Sequence, residues 1–177
     1  MMHDGLHLAA ADAGPPNGVS GELSIRVVLA DNHTTMRRGL RFVLESEGGM
    51  EVIADASDLA TAIRHVYRHR PHVLVLDPWL LDESRVEAVR QLREQAPSTE
   101  LVVLTMHESP TLAKQALEAG AIAFVLKDTA DSELPEAVRR AARGERYTSP
   151  RVTARLAELT LRSAARQPTS GFLLHSP

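Results

Sequence analysis

From residue 25 onward, short apolar runs alternate with longer segments whose apolar residues recur at helical spacing. The runs are rich in Val, Ile and Leu, and they are IRVVLA (25–30), EVIAD (51–55), HVLVLD (72–77), ELVVLT (100–105) and AIAFVL (121–126). The helical segments are 34–47, 58–69, 83–96, 109–119 and 131–143. The pattern therefore predicts five strands, each followed by a helix. Such a chain forms a parallel sheet with helices on both faces, because each right-handed crossover needs about a dozen residues.

Turn-forming and capping residues mark the ends of the predicted helices. Gly48, Gly49 and Gly120 follow helical segments. Asp58 and Ser109 stand where N-caps of the second and fourth helices are expected. These local signals agree with the boundaries that the periodicity predicts.

Polar residues stand where the predicted strands end. Asp31 and Asn32 follow the first strand, Asp77 the third, Thr105 the fourth and Lys127 the fifth. In a doubly wound sheet with the flavodoxin-like order 2-1-3-4-5, the first and third strands are neighbours, so Asp31, Asn32 and Asp77 would share one crevice. A single residue of this kind would mean little, since polar residues end most strands, but the set predicts a site.

The side chains of this set suit a divalent cation and phosphoryl chemistry. Mg²⁺ prefers one or two carboxylates together with phosphate oxygens and water. A carboxylate such as that of Asp77 can also accept a phosphoryl group, while a cation and the Lys127 ammonium neutralise the phosphoryl oxygens.

Composition narrows the setting of this site. The chain has 177 residues, of which 44% are hydrophobic, and it contains no cysteine, which excludes disulfides and thiolate chemistry. A net charge of -3 gives no general attraction to nucleic acids or membranes. Residues 1–22 lack an uninterrupted apolar run and are interpreted as a disordered leader, and no segment is long enough to span a membrane. These features predict a cytoplasmic protein with one globular domain.

In these motifs the chain resembles the receiver domain of bacterial two-component response regulators, most of all the NarL/FixJ type of transcriptional regulators. The matching stretches are IRVVLADNHTTMRRGL, HVLVLD, LVVLTMHE, EAGAIAFVLKD and SELPEAVRRAARGERYTSPRV. The resemblance implies a CheY-like receiver domain over residues 23–146, built on a doubly wound five-stranded sheet. It also implies a signalling role rather than an enzymatic one, with a histidine kinase as partner and an output in transcriptional regulation. Surfaces around 112–117 and 136–143 would then meet an effector or the second subunit of a homodimer.

The resemblance further implies a role for each residue of the site. Asp77 matches the phosphoacceptor, Lys127 the lysine that contacts the phosphoryl group, and Thr105 the hydroxyl residue that moves toward it. Phe124 matches the aromatic switch residue, and Asp31 matches the first of two acids that organise Mg²⁺. The resemblance therefore implies Mg²⁺ as the cofactor.

Two positions depart from the family pattern. Asn32 stands where the family usually has the second acid, the direct metal ligand, so we expect a lower affinity for Mg²⁺ than a carboxylate would give. The loop after Asp77 reads WLLDESR, with Leu81 in place of the usual proline and no glycine. From this loop, the backbone carbonyl of Trp79 would be a metal ligand.

Because of these departures, more than one hypothesis stays open. Either Asp77 is still phosphorylated, or the domain is a phosphorylation-independent interaction module that uses the same surfaces. A flavodoxin-like cofactor binder is a weaker alternative, since ADNHTT after the first strand is not a glycine-rich or Ser/Thr-rich phosphate loop.

The C-terminal part of the chain predicts one amphipathic helix at 147–166. Ser149 and Pro150 read as its N-cap and first residue, and Val152, Leu156 and Leu159 form an apolar stripe. The resemblance implies a linker helix, whereas the stripe alone also fits a helix that packs back on the receiver domain. Residues 167–177 are interpreted as a disordered tail. A helix-turn-helix needs two packed helices, so we expect no sequence-specific DNA binding by these residues.

Overall fold

The computed structural model describes residues 24–81 and 85–165, in which strands and helices alternate. The strands are β1 (Ile25–Ala30), β2 (Met50–Ala56), β3 (Val73–Leu76), β4 (Glu100–Thr105), β5 (Ala123–Leu126) and β6 (Tyr147–Thr148). The helices are α1 (Thr34–Ser46), α2 (Leu59–His69), α3 (Arg85–Gln95), α4 (Pro110–Glu118), α5 (Ala130–Ala142) and α6 (Pro150–Ala165). Short 3₁₀ turns at Pro78–Leu80 and Lys127–Thr129 follow β3 and β5. The leader interpreted at 1–22 and the tail at 167–177 lie outside the described residues.

The strands form one parallel sheet in the order β2-β1-β3-β4-β5-β6. Ala30 of β1 pairs with Leu76 of β3, and Thr105 of β4 pairs with Leu126 of β5, so these four strands end at one edge. The predicted order 2-1-3-4-5 and the doubly wound α/β class are confirmed. The register explains how residues that are far apart in the sequence come together just beyond this edge.

The sheet has six strands among the described residues, so the prediction of five was wrong. Tyr147 and Thr148, which lie within the helix predicted at 147–166, pair with Ala123 and Phe124 as a parallel edge strand. The Tyr147 amide donates to the carbonyl of Ile122 at 3.2 Å. A strand of two residues is too short to show an alternating apolar pattern, which is why the periodicity did not reveal it.

Two apolar layers cover the sheet, one on each face. Alternate residues of the central strands point to opposite sides, as the two-residue period of a strand requires. Val27 and Val75 lie in the layer that includes α1 and α5, while Val28 and Leu74 lie in the layer that includes α2, α3 and α4. Both faces of the central strands are therefore buried, which explains their continuous apolar runs.

The helices begin where the capping residues predicted. The Asp58 carboxylate accepts a hydrogen bond from the Thr61 amide at 2.8 Å, and the Ser109 hydroxyl accepts one from the Leu112 amide at 3.2 Å. Gly120 after α4 has a φ of 113°, and a Cβ there would lie 3.0 Å from Arg93 Cγ, so only glycine fits without strain. In the described part of the chain, no helix is both long and apolar enough to cross a membrane.

Helix α6 packs back on the α/β domain. Val152 is fully buried in the same apolar layer as α4, and Leu156 packs against that layer. The apolar stripe fitted either a linker helix or a helix that packs back on the domain, and the structure shows the second arrangement. Ser149 precedes α6 as predicted, and its carbonyl accepts the first helical hydrogen bond from the Thr153 amide at 3.0 Å. Its hydroxyl does not cap the helix but accepts from the Leu126 amide at 3.1 Å and donates to the Glu133 carboxylate.

Candidate functional site

Asp77 leaves β3 directly into the crevice at the carboxyl edge of the sheet. Its amide donates to the carbonyl of Ala30 at 2.8 Å, which continues the pairing of β1 with β3 by one residue. The carboxylate is 1% exposed, and its Oδ1 accepts a hydrogen bond from the Trp79 amide at 2.9 Å. The strand thus ends by holding a buried carboxylate in a fixed orientation.

Asp31 lies beside Asp77 because β1 and β3 are neighbours. Its amide donates to the carbonyl of Ala56 at the end of β2, at 3.1 Å. The Asp31 carboxylate is 2% exposed, and its Oδ1 accepts from the amide of His33 at 2.7 Å. A second carboxylate is therefore fixed in the same buried pocket.

Lys127 joins the two carboxylates. It follows β5 directly, and its Nζ donates to Oδ2 of Asp31 and, at 2.5 Å, to Oδ2 of Asp77. All three side chains are nearly inaccessible to solvent. Two carboxylates against one ammonium leave a net negative charge in a buried place, and this favours the entry of a further cation.

The residues beside the carboxylates can add ligands for such a cation. Asp31, His33 and Asp77 each offer one ligand atom, and these atoms lie within 4.8 Å of one another. Carboxylate oxygens are the donors that Mg²⁺ prefers. The sequence analysis missed His33, although its position two residues after Asp31 was visible. Asn32, placed in the crevice by the sequence analysis, is exposed.

Thr105 lies at the carboxyl edge of the sheet, and Phe124 lies further inside the domain. Thr105 ends β4 fully buried, and its hydroxyl accepts from the His107 amide at 3.1 Å, inside its own loop. Phe124 is also fully buried, deeper in β5, within the apolar layer that contains α4 and Val152. The fold thus brings Asp31, Asp77 and Lys127 into direct contact, with Thr105 at the adjoining strand end.

The first residues of the loop after Asp77 make defined contacts. Trp79 is 54% exposed, and its indole ring lies 5.4 Å from the His107 ring, centroid to centroid. Leu81, which replaces the usual proline, is 3% exposed and packs into the apolar layer. Trp79 and His107 also line an open groove of about 390 Å³ that runs along α4.

Basic residues of α1 border the pocket on the side of β2. Arg37 donates to the backbone carbonyl of Asp31 and to the Asp55 carboxylate, both at 2.7 Å. Burial alone would raise the pKa of the Asp55 carboxyl, but hydrogen bonds and charges from Arg37 and Arg41 outweigh it and lower that pKa. Arg37 therefore ties the loop that carries Asp31 to the end of β2, a role that the sequence analysis did not predict.

Comparison with known proteins identifies the kind of domain that has this architecture. The family model of the response regulator receiver domain matches residues 27–139. The oxygen regulatory protein NreC of Staphylococcus epidermidis is 35% identical over 133 residues, which cover 75% of this chain and 61% of NreC. The transcriptional regulatory protein YxjL of Bacillus subtilis is 33% identical over 153 residues, which cover 86% of this chain and 69% of YxjL. The chain thus spans less than two thirds of the length of NreC.

The solved structures agree with the sequence relatives. A two-component response regulator of the LuxR family from Aurantimonas superposes with a TM-score of 0.73 and 31% identity. The superposition covers 78% of this chain and 99% of that one. The similarity therefore extends over the whole receiver fold, including the edge of the sheet that carries the site.

Proposed function

The chain belongs to the response regulator receiver domain family, with relatives of the NarL/FixJ type, and we propose that it accepts a phosphoryl group on Asp77 from a histidine kinase. The observation that carries the proposal is the buried cluster in which Lys127 bridges Asp31 and Asp77 at the carboxyl edge of the sheet. Relatives named as transcriptional regulators support an output in transcriptional regulation. In this proposal the protein is the acceptor in the transfer and has no turnover of its own.

The pocket supplies the groups that phosphoryl transfer to a carboxylate requires. An oxygen of Asp77 attacks the phosphorus of a phosphohistidine, the new P–O bond replaces the P–N bond, and the imidazole leaves with the bonding electron pair. Lys127 already contacts Oδ2 of Asp77, so its ammonium lies where phosphoryl oxygens arrive. The Trp79 amide holds the other oxygen of Asp77 and thereby limits rotation of the carboxylate.

A Mg²⁺ ion fits the donor set of this pocket. Asp31 and Asp77 would hold it through carboxylate oxygens, with Asn32 and the Trp79 carbonyl as the further ligands that the family resemblance implies. When bound, the ion supplies positive charge against the phosphoryl oxygens. The amide of Asn32 brings no charge, so the carboxylates of Asp31 and Asp77 provide the electrostatic attraction.

Thr105 and Phe124 are the proposed relay of the signal. The Thr105 hydroxyl now bonds to the His107 amide, and a turn toward a phosphoryl group on Asp77 would break that bond and move the loop before α4. Phe124 lies in the apolar layer that includes α4, so its packing would respond to that movement. Such a shift between two packings is how a local charge change alters a distant surface.

A phosphorylation-independent interaction module is the second candidate. It is favoured by the neutral Asn32 and by Lys127, which already bridges both acids without any modification. In that case the surfaces of α4 and α5 would bind a partner constitutively. The two candidates differ in whether the pocket responds to a phosphoryl group.

Trp79, the only tryptophan of the chain, reports directly on that response. The protein is titrated with Mg²⁺ and then with beryllofluoride, a phosphoryl mimic, while the Trp79 fluorescence is followed. In parallel, a small-molecule phosphodonor is added and the intact mass is measured. We expect a saturable fluorescence change and a mass increase of one phosphoryl group, both lost in Asp77→Asn.

Asp58→Asn is the matched control, because it removes a carboxylate outside the pocket and asparagine caps a helix about as well as aspartate. It should respond like the wild type. A protein that shows neither a fluorescence change nor labelling at millimolar Mg²⁺ would contradict the phosphoacceptor proposal and favour the constitutive module.

A further inference from the structure

Helix α6 is attached to the receiver domain by two kinds of contact, one apolar and one charged. The apolar contact is formed by Val152, which is fully buried, and by Leu156, which packs against the same layer. Ala113 and Ala116 of α4 and the fully buried Phe124 belong to that layer. The inner face of α6 thus covers the helix through which the relay proposed above would act.

The charged contacts connect α6 to two loops at the carboxyl edge of the sheet. Arg151 donates to Glu108 at 2.7 Å and also to Asp128. Arg155, one turn further along, donates to the other oxygen of Glu108 at 2.9 Å. The hydrogen bonds that Arg151 donates to Asp128 and Glu108 raise its pKa above the ordinary value, in keeping with a guanidinium held between two carboxylates.

The two carboxylates that anchor α6, Glu108 and Asp128, lie close in the sequence to residues of the site. Glu108 lies three residues after Thr105, and Asp128 directly follows Lys127. One arginine of α6 therefore connects the loop that follows Thr105 to the loop that follows Lys127. Arg151 can hold both carboxylates only while the two loops keep their present separation.

We propose that α6 is a latch that is docked while Asp77 is unmodified and is released when the pocket is occupied. The released state rests on the proposed function, since occupation means a phosphoryl group or its mimic on Asp77. When Thr105 turns toward that group it gives up the His107 amide, and the segment that carries Glu108 moves with it. The docked helix covers α4, so release changes both the freedom of α6 and the exposure of α4.

The charged contacts of α6 are weak enough to be broken by a small movement. Arg151 and Arg155 are each about half exposed, and exposed ion pairs of this kind contribute little individually. A modest displacement of Glu108 is therefore enough to shift the balance between the docked and released states. Ser149 and β6 stay attached to β5, so the release begins after Ser149 and leaves the sheet intact.

The absence of cysteine from the whole chain allows a direct test. In Val152→Cys the only thiol lies on the buried face of the docked helix α6. Its rate of reaction with a maleimide therefore measures release of the helix. We expect Mg²⁺ with beryllofluoride to accelerate labelling by roughly tenfold, within the ~5–150-fold range typical of coupling between sites. Leu161→Cys is the control, because Leu161 is 71% exposed and its cysteine should react equally fast in both conditions.

Charge variants test the anchors. Arg151→Ala in the Val152→Cys background should accelerate labelling without beryllofluoride, whereas Arg162→Ala, later in the same helix, should not. If Val152→Cys does not fold, hydrogen exchange of the 152–164 amides in the wild type replaces labelling, with the same expected acceleration.

The outcomes separate this inference from the proposed function. A normal Trp79 response to beryllofluoride with unchanged labelling or exchange of α6 would overturn the latch and leave the phosphoacceptor proposal standing. Faster labelling in Arg151→Ala without any Trp79 response would support the docked contact and overturn the proposed function together with the coupling. Equal rates in Arg151→Ala and Arg162→Ala would show that α6 is held by its apolar face alone and would overturn the charged latch.

Discussion

Lys127 is the residue on which the electrostatics of the pocket depend. It bridges two carboxylates that are themselves almost fully buried. In Lys127→Met both carboxylates lose their counter-charge, and we expect a loss of about 3–5 kcal/mol in the free energy of unfolding, the usual cost of removing one partner of a buried pair. Urea denaturation in the presence of a chelator measures this loss, and Mg²⁺ should restore part of it.

Lys114→Met provides the comparison for that experiment. Lys114 pairs with Glu118 at 3.8 Å on the exposed side of α4, and such a pair contributes about 0–1 kcal/mol. If the two lysine variants were equally stable in chelator, the buried bridge would not be the main partner of the two carboxylates.

Asn32 is the residue that we expect to limit the affinity of the pocket for a cation. Asn32→Asp adds a negative charge at the position where the family usually has its metal-binding acid, so we expect Mg²⁺ to bind about tenfold more tightly, a gain of about 1.4 kcal/mol. The midpoint of the Trp79 fluorescence titration measures this affinity. Asn32→Ala is the control, since it removes the amide oxygen without adding charge and should bind Mg²⁺ no more tightly than the wild type. Equal midpoints for all three proteins would exclude this position from the metal site.

At the scale of secondary-structure elements, Asp55 links β2 to α1. Arg37 and Arg41 hold the pKa of its carboxyl below the ordinary value of 3.8, despite a burial that acts in the opposite direction. A carboxyl with a depressed folded-state pKa stabilises the fold above its unfolded-state pKa, and that contribution is lost as the pH falls through the folded-state pKa. The contacts of Asp55 should therefore contribute at neutral pH and disappear in strong acid.

The corresponding measurement is the stability difference between the wild type and Asp55→Asn as a function of pH. We expect about 0.5–1 kcal/mol at neutral pH, since the Asp55 side chain is 38% exposed and solvent weakens its ion pairs. The difference should shrink below about pH 4, where the unfolded carboxyl is protonated. Glu51→Gln removes an exposed carboxylate from the same strand and is the control. A difference for Asp55→Asn that stayed constant down to strong acid would contradict the linkage.

Ser149 joins three elements, and its removal tests that junction. Its hydroxyl accepts from the buried amide of Leu126 and donates to Glu133 of α5. Ser149→Ala leaves the Leu126 amide without this partner, so we expect the free energy of unfolding to fall by about 1–3 kcal/mol. Thermal denaturation compares it with Ser46→Ala, whose exposed hydroxyl bonds only to its own helix, at Val43, and which should change stability little. Equal melting temperatures for the two variants would contradict the role of Ser149.

The elements that the sequence could predict are those with a long local pattern. Apolar periodicity gave the first five strands, and strand ends placed Asp31, Asp77, Thr105 and Lys127 at one edge. The pattern could not predict β6, because a strand of two residues is too short to show a period. It also could not predict that α6 docks on the domain, because an apolar stripe does not specify what it packs against. It also missed His33 and Arg37, whose contacts with Asp31 come from the path of the chain after β1.

At the scale of the whole molecule, the latch determines which surface is available to a second copy. While α6 is docked it covers α4, one of the two surfaces expected to meet a dimer mate. Release would expose Val152 and Leu156 of α6 together with the part of the apolar layer that they now cover. Exposed apolar patches favour association, so we expect the receiver to dimerise when its pocket is occupied.

Sedimentation velocity measures this association with the intact chain. We expect a monomer in Mg²⁺ alone and a dimer, dependent on protein concentration, after beryllofluoride is added. Arg151→Ala should form part of the dimer without beryllofluoride, because it loosens the helix that covers α4, whereas Arg162→Ala should behave like the wild type. If beryllofluoride produced a dimer while Val152→Cys stayed protected, the two copies would have to meet on a surface away from α4, and the exposed face of α5 around 136–143 would be the surface to test next.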